Sequence, residues 1–325
     1  PNVLVTDYLL ATGTISPEIE IKAKEYIAAG YQRLVTFECA SGGYNWWVGD
    51  DPGNAILTAM MVMMTTDTKK VSYVDENVIK RAAQWLADRQ RSDGSWGEEM
   101  HLHAGNETLG KGSLRATAYI TWALLHSGYQ SGASTKALAH LRSKVGAETD
   151  VYTQAMVVKA LAVNDPSDPA INPVVQKIHD ARIEEGDFVS WAADGATMVN
   201  SWGNNANIES TALVALAFME AGAYPGDVQG GLNYLIANKD DQGNWGYSTQ
   251  ATVLALKALL GSLSAGSPVT DATATVSVNG VEIATRDFNE FNGDVLWQVE
   301  LNDHAIEGDN TVVLEYEGLG NLMYQ

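Results

Sequence analysis

Two stretches of this chain close in the same way. Trp85-Leu86 leads through Gln90 to Gly94-Ser95-Trp96-Gly97, and Tyr234-Leu235 leads to Gly243-Asn244-Trp245-Gly246. A weaker copy ends in Gly43-Tyr44-Asn45-Trp46. Apolar residues recur at helical spacing along the chain, as in Ile56, Met60, Met63 and Met64, or Val253, Leu256, Leu259 and Leu260. A helical hairpin repeated in this manner cannot bury its apolar face alone, so the copies must stack on one another. The expected fold is therefore mainly α: about eleven helices in antiparallel pairs, closing into a barrel of inner and outer helices, an α/α toroid.

Breaks at Gly13-Thr14, Gly42-Gly43, Ser92-Asp93-Gly94, 165–169, Asn204-Asn205 and Gly243-Asn244 separate the helices. After the last of these turns, Ser248 or Thr249 can cap the next helix. Beyond Pro268 the period changes from helical to two: Thr273, Thr275 and Ser277 alternate with Ala274, Val276 and Val278 before Asn279-Gly280, a hairpin signal. Further strand-like runs fall at 295–301, 311–317 and 322–324. The expectation is a toroid domain over 1–265 and a small, incomplete antiparallel β-domain over 266–325. Its partner strands would come from residues outside this sequence.

With 46% hydrophobic residues, nine Trp and thirteen Tyr, the 325-residue chain has the composition of a globular protein despite 40 acidic against 20 basic side chains. A formal charge of −20 repels phosphate backbones and anionic headgroups, which argues against nucleic-acid partners and electrostatic membrane docking. The longest apolar run, 55–64, is too short to cross a bilayer, so no membrane insertion is expected. The one cysteine, Cys39, reads as a small buried hydrophobe.

The turn Arg81-Ala82-x-x-Trp85-Leu86-x-x-x-Gln90-x-x-x-Gly94-x-Trp96 resembles the repeat of terpenoid cyclases, which share the α/α toroid. Neither the acidic segment of those cyclases nor the Asp, Cys, His zinc trio of protein prenyltransferases is visible here, and Asp50-Asp51 before Pro52 reads as a pair of solvated turn acids. Other stretches resemble alpha-2-macroglobulin and the complement thioester proteins, in order and spacing. They are Pro1-Asn2-Val3-x-Val5-x-Asp7-Tyr8-Leu9, Pro17-Glu18-Ile19, Gly30-Tyr31-Gln32-Arg33, Thr117-Ala118-Tyr119-Ile120-Thr121, and Ser248-Thr249-Gln250-Ala251-Thr252 with Ala255-Leu256-Lys257-Ala258-Leu259. The β tail resembles the second half of the CUB domain into which that family inserts its thioester domain.

What the resemblance implies is a covalent trap without catalytic turnover, acting as an endopeptidase inhibitor and needing no cofactor and no metal. In the family, a Cys-Gly-Glu-Gln segment makes an internal thioester that acylates proteases or cell-surface nucleophiles. That segment lies several residues ahead of the position matching Pro1, so two readings stay open: a trimmed protein, or a relative without the thioester. Other domains of the same parent protein are expected partners, in a secreted, cell-surface or periplasmic setting.

Complement-type members place a histidine between the Gly-x-Trp turn and the Thr-Ala-Tyr helix, where it attacks the thioester to give an acyl-imidazole. His101 and His103 occupy that interval, and counting back without gaps from Thr117 favours His103. Neutral imidazole, with a pKa of about 6.5, is a competent nucleophile at neutral pH, whereas Glu98 and Glu99 favour its protonated form. His-x-His lacks a third metal ligand at usable spacing. His126, His140, His179 and His304 read as scattered surface or helix-end residues. Two other functions compete: a cyclase-like or carbohydrate-active toroid enzyme using paired carboxylates in the barrel mouth, and a thioester-less interaction module.

Overall fold

The computed structural model describes the chain except for residues 98–112, 130, 242, 247, 266–270, 290–296, 302–303, 307 and 319–325, and it omits the side chains of 113, 264–265, 271 and 318. It divides into two compact units, Pro1–Leu260 and Gly261–Gln325.

Eleven α-helices are present among the described residues: α1 (Asn2–Ala11), α2 (Pro17–Val35), α3 (Ala55–Thr68), α4 (Glu76–Asp88), α5 (Ser113–His126), α6 (Gly132–Lys144), α7 (Val151–Asn164), α8 (Ile171–Asp180), α9 (Asn204–Ala221), α10 (Pro225–Ala237) and α11 (Thr249–Ala265). They alternate between two environments. Helix α7 buries Tyr152 through Ala162 without interruption, and α9 buries Ile208 through Phe218. A helix apolar all round belongs inside other helices. The odd-numbered helices α3 to α11 accordingly form the inner layer. Helix α4 instead buries Val78, Ile79, Ala82, Ala83, Trp85 and Leu86, a single stripe at spacings of three and four, and α8 buries Ile171, Val174, Val175 and Ile178. These lie outside. The first unit is the expected α/α toroid.

One joint recurs at four of the handovers from an outer helix to an inner one, into α3, α5, α9 and α11. The backbone N–H groups of Tyr44, Trp96, Trp191 and Trp245 donate to the hydroxyls of Thr58, Thr117, Thr211 and Thr252 at 2.9, 3.0, 3.1 and 3.2 Å. Each threonine sits in the first turns of the inner helix. The indole Nε1 of Trp96, Trp191 and Trp245 donates back to Leu86, Ile178 and Leu235 carbonyls at 2.8, 2.7 and 2.6 Å, near the end of the preceding outer helix. All three rings are at most 1% exposed. Burial of so large a ring with both nitrogens bonded fixes the angle between the two helices.

The sequence signature is the turn leading into this joint. Cys39, Arg91 and Asp240 each donate to the carbonyl four residues on and accept from the N–H three residues on, and the glycine at that third position has φ of 78° to 86°. In the weaker copy Tyr44 takes the tryptophan's place, while Trp46 and Trp47 lie outside the core, 40% and 66% exposed. The Trp191 joint was not expected. It is reached through a short antiparallel hairpin, β1 (Ile183–Glu185) with β2 (Phe188–Ser190), inside a region the period reads as all-helical. Asn204-Asn205, expected as a break, instead opens α9.

The second unit holds a three-stranded antiparallel sheet of order β4-β3-β5, from β3 (Asp271–Val278), β4 (Val281–Asn289) and β5 (Val312–Gly318). Asn279 and Gly280 take φ of 52° and 81°, the backbone of a two-residue hairpin. Ala272, Ala274 and Phe288 form a small core against Trp297, Leu314 and Tyr316. The expected strand at 295–301 is absent from its described part, 297–301, and the run 322–324 lies outside the described residues.

Candidate functional site

The N-terminal turns of α5, α9 and α11 carry the Thr joints, and Arg115 of α5 bonds Asp150 and Thr153 at the start of α7, so these helix starts gather at one end of the toroid. The segment from Trp191 to Gly203 folds over that end. Buried Arg115, 3% exposed, pins it: the guanidinium donates to Thr153 Oγ1 at 2.9 Å, Asp150 Oδ2 at 2.7 Å and the Ala196 carbonyl at 2.9 Å. Asp150 caps α7 and also accepts from the Asp194 N–H. Burial pushes this carboxyl up, but the Thr153 hydroxyl and the Arg115 charge prevail and hold it below its ordinary value. Thr197 and Met198 are thereby fully buried in the mouth.

A cavity of about 840 Å3 runs along α1, α3 and α11. Met60, Met63 and Met64 of α3, Tyr119 and Trp122 of α5, and Val253 and Leu254 of α11 supply an apolar wall, and Pro1, Val3 and Leu4 lie on the same wall. Helix α1 is apolar on all sides, yet Thr6 is its only buried residue among those described. Trp46 and Trp202 stand at the cavity, 40% and 60% exposed, with Trp202 Nε1 bonded to Asn200 Oδ1 at 2.9 Å.

The cavity has two polar ends. Ser248 and Lys257 both line it, and nine helical steps of 1.5 Å place them roughly 13 Å apart along α11. At the Ser248 end, buried Glu209 of α9 accepts from Ser201 Oγ at 2.5 Å and Ser248 Oγ at 2.9 Å, both on Oε1. Its Oε2 is buried and has no hydrogen-bond partner among the described residues. Burial pushes the Glu209 carboxyl up, against the hydroxyls of Ser201, Thr197 and Ser248 that hold it down. Ser248 Oγ also accepts from the Ala251 N–H at 3.1 Å, the cap expected for this helix.

At the Lys257 end, Asp67 accepts from Lys257 Nζ at 2.8 Å and pairs with His126 Nε2 at 2.7 Å. Lys257 and Lys159 flank the Trp122 ring at 5.9 and 5.8 Å, and Lys159 is paired with Glu220. His140 and His179 are engaged as well, and His304 is exposed, as expected. His140 is buried and bonded to the Asp93 carbonyl, not on the surface, and His179 stacks on Tyr224 and pairs with Asp227.

His101 and His103 lie outside the described residues. The described residues that flank them are Gly97, next to the Trp96–Thr117 joint, and Ser113, the first residue of α5. Glu209, Arg115 and Trp191 were missed from sequence. A glutamate in the middle of α9, just ahead of the long apolar run Ala212–Phe218, is the signal that could have pointed to the first. Among the described residues no three His, Cys, Asp or Glu side chains gather as a metal site, and no helix is long and apolar enough to cross a membrane.

The chain is 31% identical over 169 residues to ovostatin of Gallus gallus, covering 50% of this chain and 11% of that protein. It is 26% identical over 273 residues to thioester-containing protein 1 allele R1 of Anopheles gambiae, covering 80% of this chain and 19% of that protein. It thus spans a fifth or less of these relatives. Residues 1–261 match the family described as the A-macroglobulin TED domain, and with four fifths of its length inside that match the chain belongs to this family.

Proposed function

We propose that this toroid shelters and then presents a thioester carried on the parent chain just ahead of Pro1. The observation that carries the reading is the position of Pro1 on an apolar cavity walled by methionine and aromatic side chains. A thioester is an acyl donor that survives only while water and amines are kept away. A Met-lined wall adapts to what it packs against, and the half-covered apolar surface of α1 leaves room for preceding chain. Proteolysis of the parent would expose the acyl group to a protease or a cell-surface nucleophile. The product is a covalent conjugate, formed once per molecule, so the protein inhibits or tags without turnover, in a secreted, cell-surface or periplasmic setting. Residues 266–325 would then be the C-terminal part of a CUB-like domain, completed by other strands of the parent. One name among the relatives, thioester-containing protein 1, supports the chemistry.

The competing toroid-enzyme reading needs paired carboxylates. Asp67 is held by Lys257 and His126, and Glu209 by hydroxyls, with no second carboxyl among the groups that shift either one.

Within the proposed trap, His103 takes the acyl group from sulfur and passes it to hydroxyl acceptors. The test is to open the parent protein by limited proteolysis in the presence of labelled glycerol and labelled methylamine and to measure the ester and amide formed. His103→Ala lowers ester formation on the order of 100-fold and leaves amide formation intact, while His101→Ala changes neither. Equal acceptor preference in wild type and His103→Ala rejects the role.

A further inference from the structure

The Ser201–Ser248–Glu209 cluster is built like a proton path and has no part in the trap as described so far. Glu209 lies at 0% exposure in the body of α9, a costly place for a carboxyl, and a structural role there would be met by an apolar side chain. Its Oε1 receives both serine hydroxyls, which stand 3.2 Å from each other, and both serines line the cavity that Pro1 also lines. Ser248 Oγ has one proton and two lone pairs. The proton is directed at Glu209, one lone pair takes the Ala251 N–H, and the second remains for a group in the cavity. No second acid is among the groups that shift this carboxyl, and Asp150 at the same end is paired with Arg115. The 197–201 segment and α11 face it with the hydroxyls of Thr197, Ser201 and Ser248; from α7, Tyr152 lies within electrostatic range of it, and Arg115 of α5 within range of Tyr152.

We propose that Ser248, backed by Glu209, carries the proton of the attacking nucleophile when the thioester is opened. This rests on the thioester reading above and concerns direct attack on the thioester, not the route through His103. As water or another nucleophile bonds to the acyl carbon, its proton passes to the free lone pair of Ser248 while the Ser248 proton passes to Glu209 Oε1. The carbon–sulfur bond breaks, and the electron pair leaves on sulfur as thiolate. The stored proton then returns by the same path to the thiolate, so that nucleophile and thioester become acyl product and thiol with Glu209 restored. Ser248 touches the reacting nucleophile, and Glu209 positions Ser248 and holds the proton. A base must be matched to the pH at which it works, and burial brings this carboxyl closer to that range than an exposed one.

The path is tested in a parent protein whose His103 is replaced by Ala, so that water attacks the thioester directly; this background is the wild type for Ser248 and Glu209. Hydrolysis of its thioester, opened by proteolysis, is followed as thiol release against pH without added amine. Intact mass first establishes the thioester in each variant as the loss of ammonia. The wild-type rate is expected to fall on the acid side as Glu209 takes up its proton. In Glu209→Gln and Ser248→Ala hydrolysis slows on the order of 100-fold and that acid limb disappears, while Ser248→Thr, which keeps the hydroxyl, stays within about tenfold of wild type. If Glu209→Gln does not form the thioester, the Ser248→Ala and Ser248→Thr pair decides. Thioester-bearing variants that hydrolyse at the wild-type rate with the wild-type pH profile overturn the relay alone. A wild-type parent that forms no thioester overturns the relay and the function together.

Discussion

Lys257 Nζ donates to Asp67 Oδ2 at 2.8 Å across 190 residues of sequence, tying the last inner helix to α3. With the Ser248–Glu209 bond on the other side of α11, it closes the ring of inner helices. Asp67 is 7% exposed, and removing one partner of so buried a pair strands the other. Asp67→Asn is expected to cost about 3 kcal/mol at pH 7, measured by urea unfolding. Burial by itself would raise this carboxyl, but the His126 hydrogen bond and the Lys257 charge hold it well below the carboxylate range. A depressed folded pKa stabilises above the unfolded value of about 4 and loses that stabilisation as pH falls through the folded value. The gap between wild type and Asp67→Asn should therefore narrow as the pH falls below about 4. A gap that widens on acidification contradicts the assignment.

The Trp–Thr joints make a second prediction. Thr211→Val keeps the shape of the side chain but leaves the buried Trp191 N–H without its acceptor, at an expected cost of about 1–3 kcal/mol. Thr252→Val should cost about the same, because Trp245 uses it in the same way. Equilibrium denaturation of the two variants checks whether the hairpin-fed joint is equivalent to the turn-fed one.

Glycines of the repeated turns should differ in tolerance. Gly94 has φ of 86°, and a Cβ there would meet the backbone carbonyl oxygen of Lys136 at 2.4 Å. Gly243 has φ of 81° with nothing within 4 Å. Gly243→Ala is expected to cost only the strain of the left-handed backbone, about 1 kcal/mol, and Gly94→Ala clearly more, since carbonyl and helix must shift as well. Thermal unfolding of the pair decides it; equal losses would mean that α6 yields freely.

These same elements show what the sequence could and could not disclose. Trp96 and Trp245 announce their joints because a positive-φ glycine must precede them in a tight turn, and that requirement is written in the residue itself. Trp191 reaches the same joint through a hairpin whose positive-φ glycine, Gly186, lies five residues ahead of it rather than two, so the repeated spacing does not mark it. Inner and outer helices were legible from all-round against one-sided apolarity. The cavity was not, since Met60, Met63 and Met64 read as ordinary core until three-dimensional packing leaves space beside them. Arg115 and Glu209 find their partners 81 and 39 residues away, separations over which a local pattern carries no information. In the β unit, 297–301 has the alternation of a strand but pairs with no strand among the described residues, because pairing is decided by neighbours rather than by period.

The account stands most directly on the thiol balance of the parent protein extended ahead of Pro1. Thiols are titrated in the folded state, before and after methylamine, with Cys39 replaced by Ser so that it does not contribute. The proposed shelter predicts no reactive thiol at the start and one per chain after methylamine, appearing faster once the parent has been cleaved by protease. A thiol already free before methylamine, or none released by it, would contradict the claim that this toroid guards a thioester.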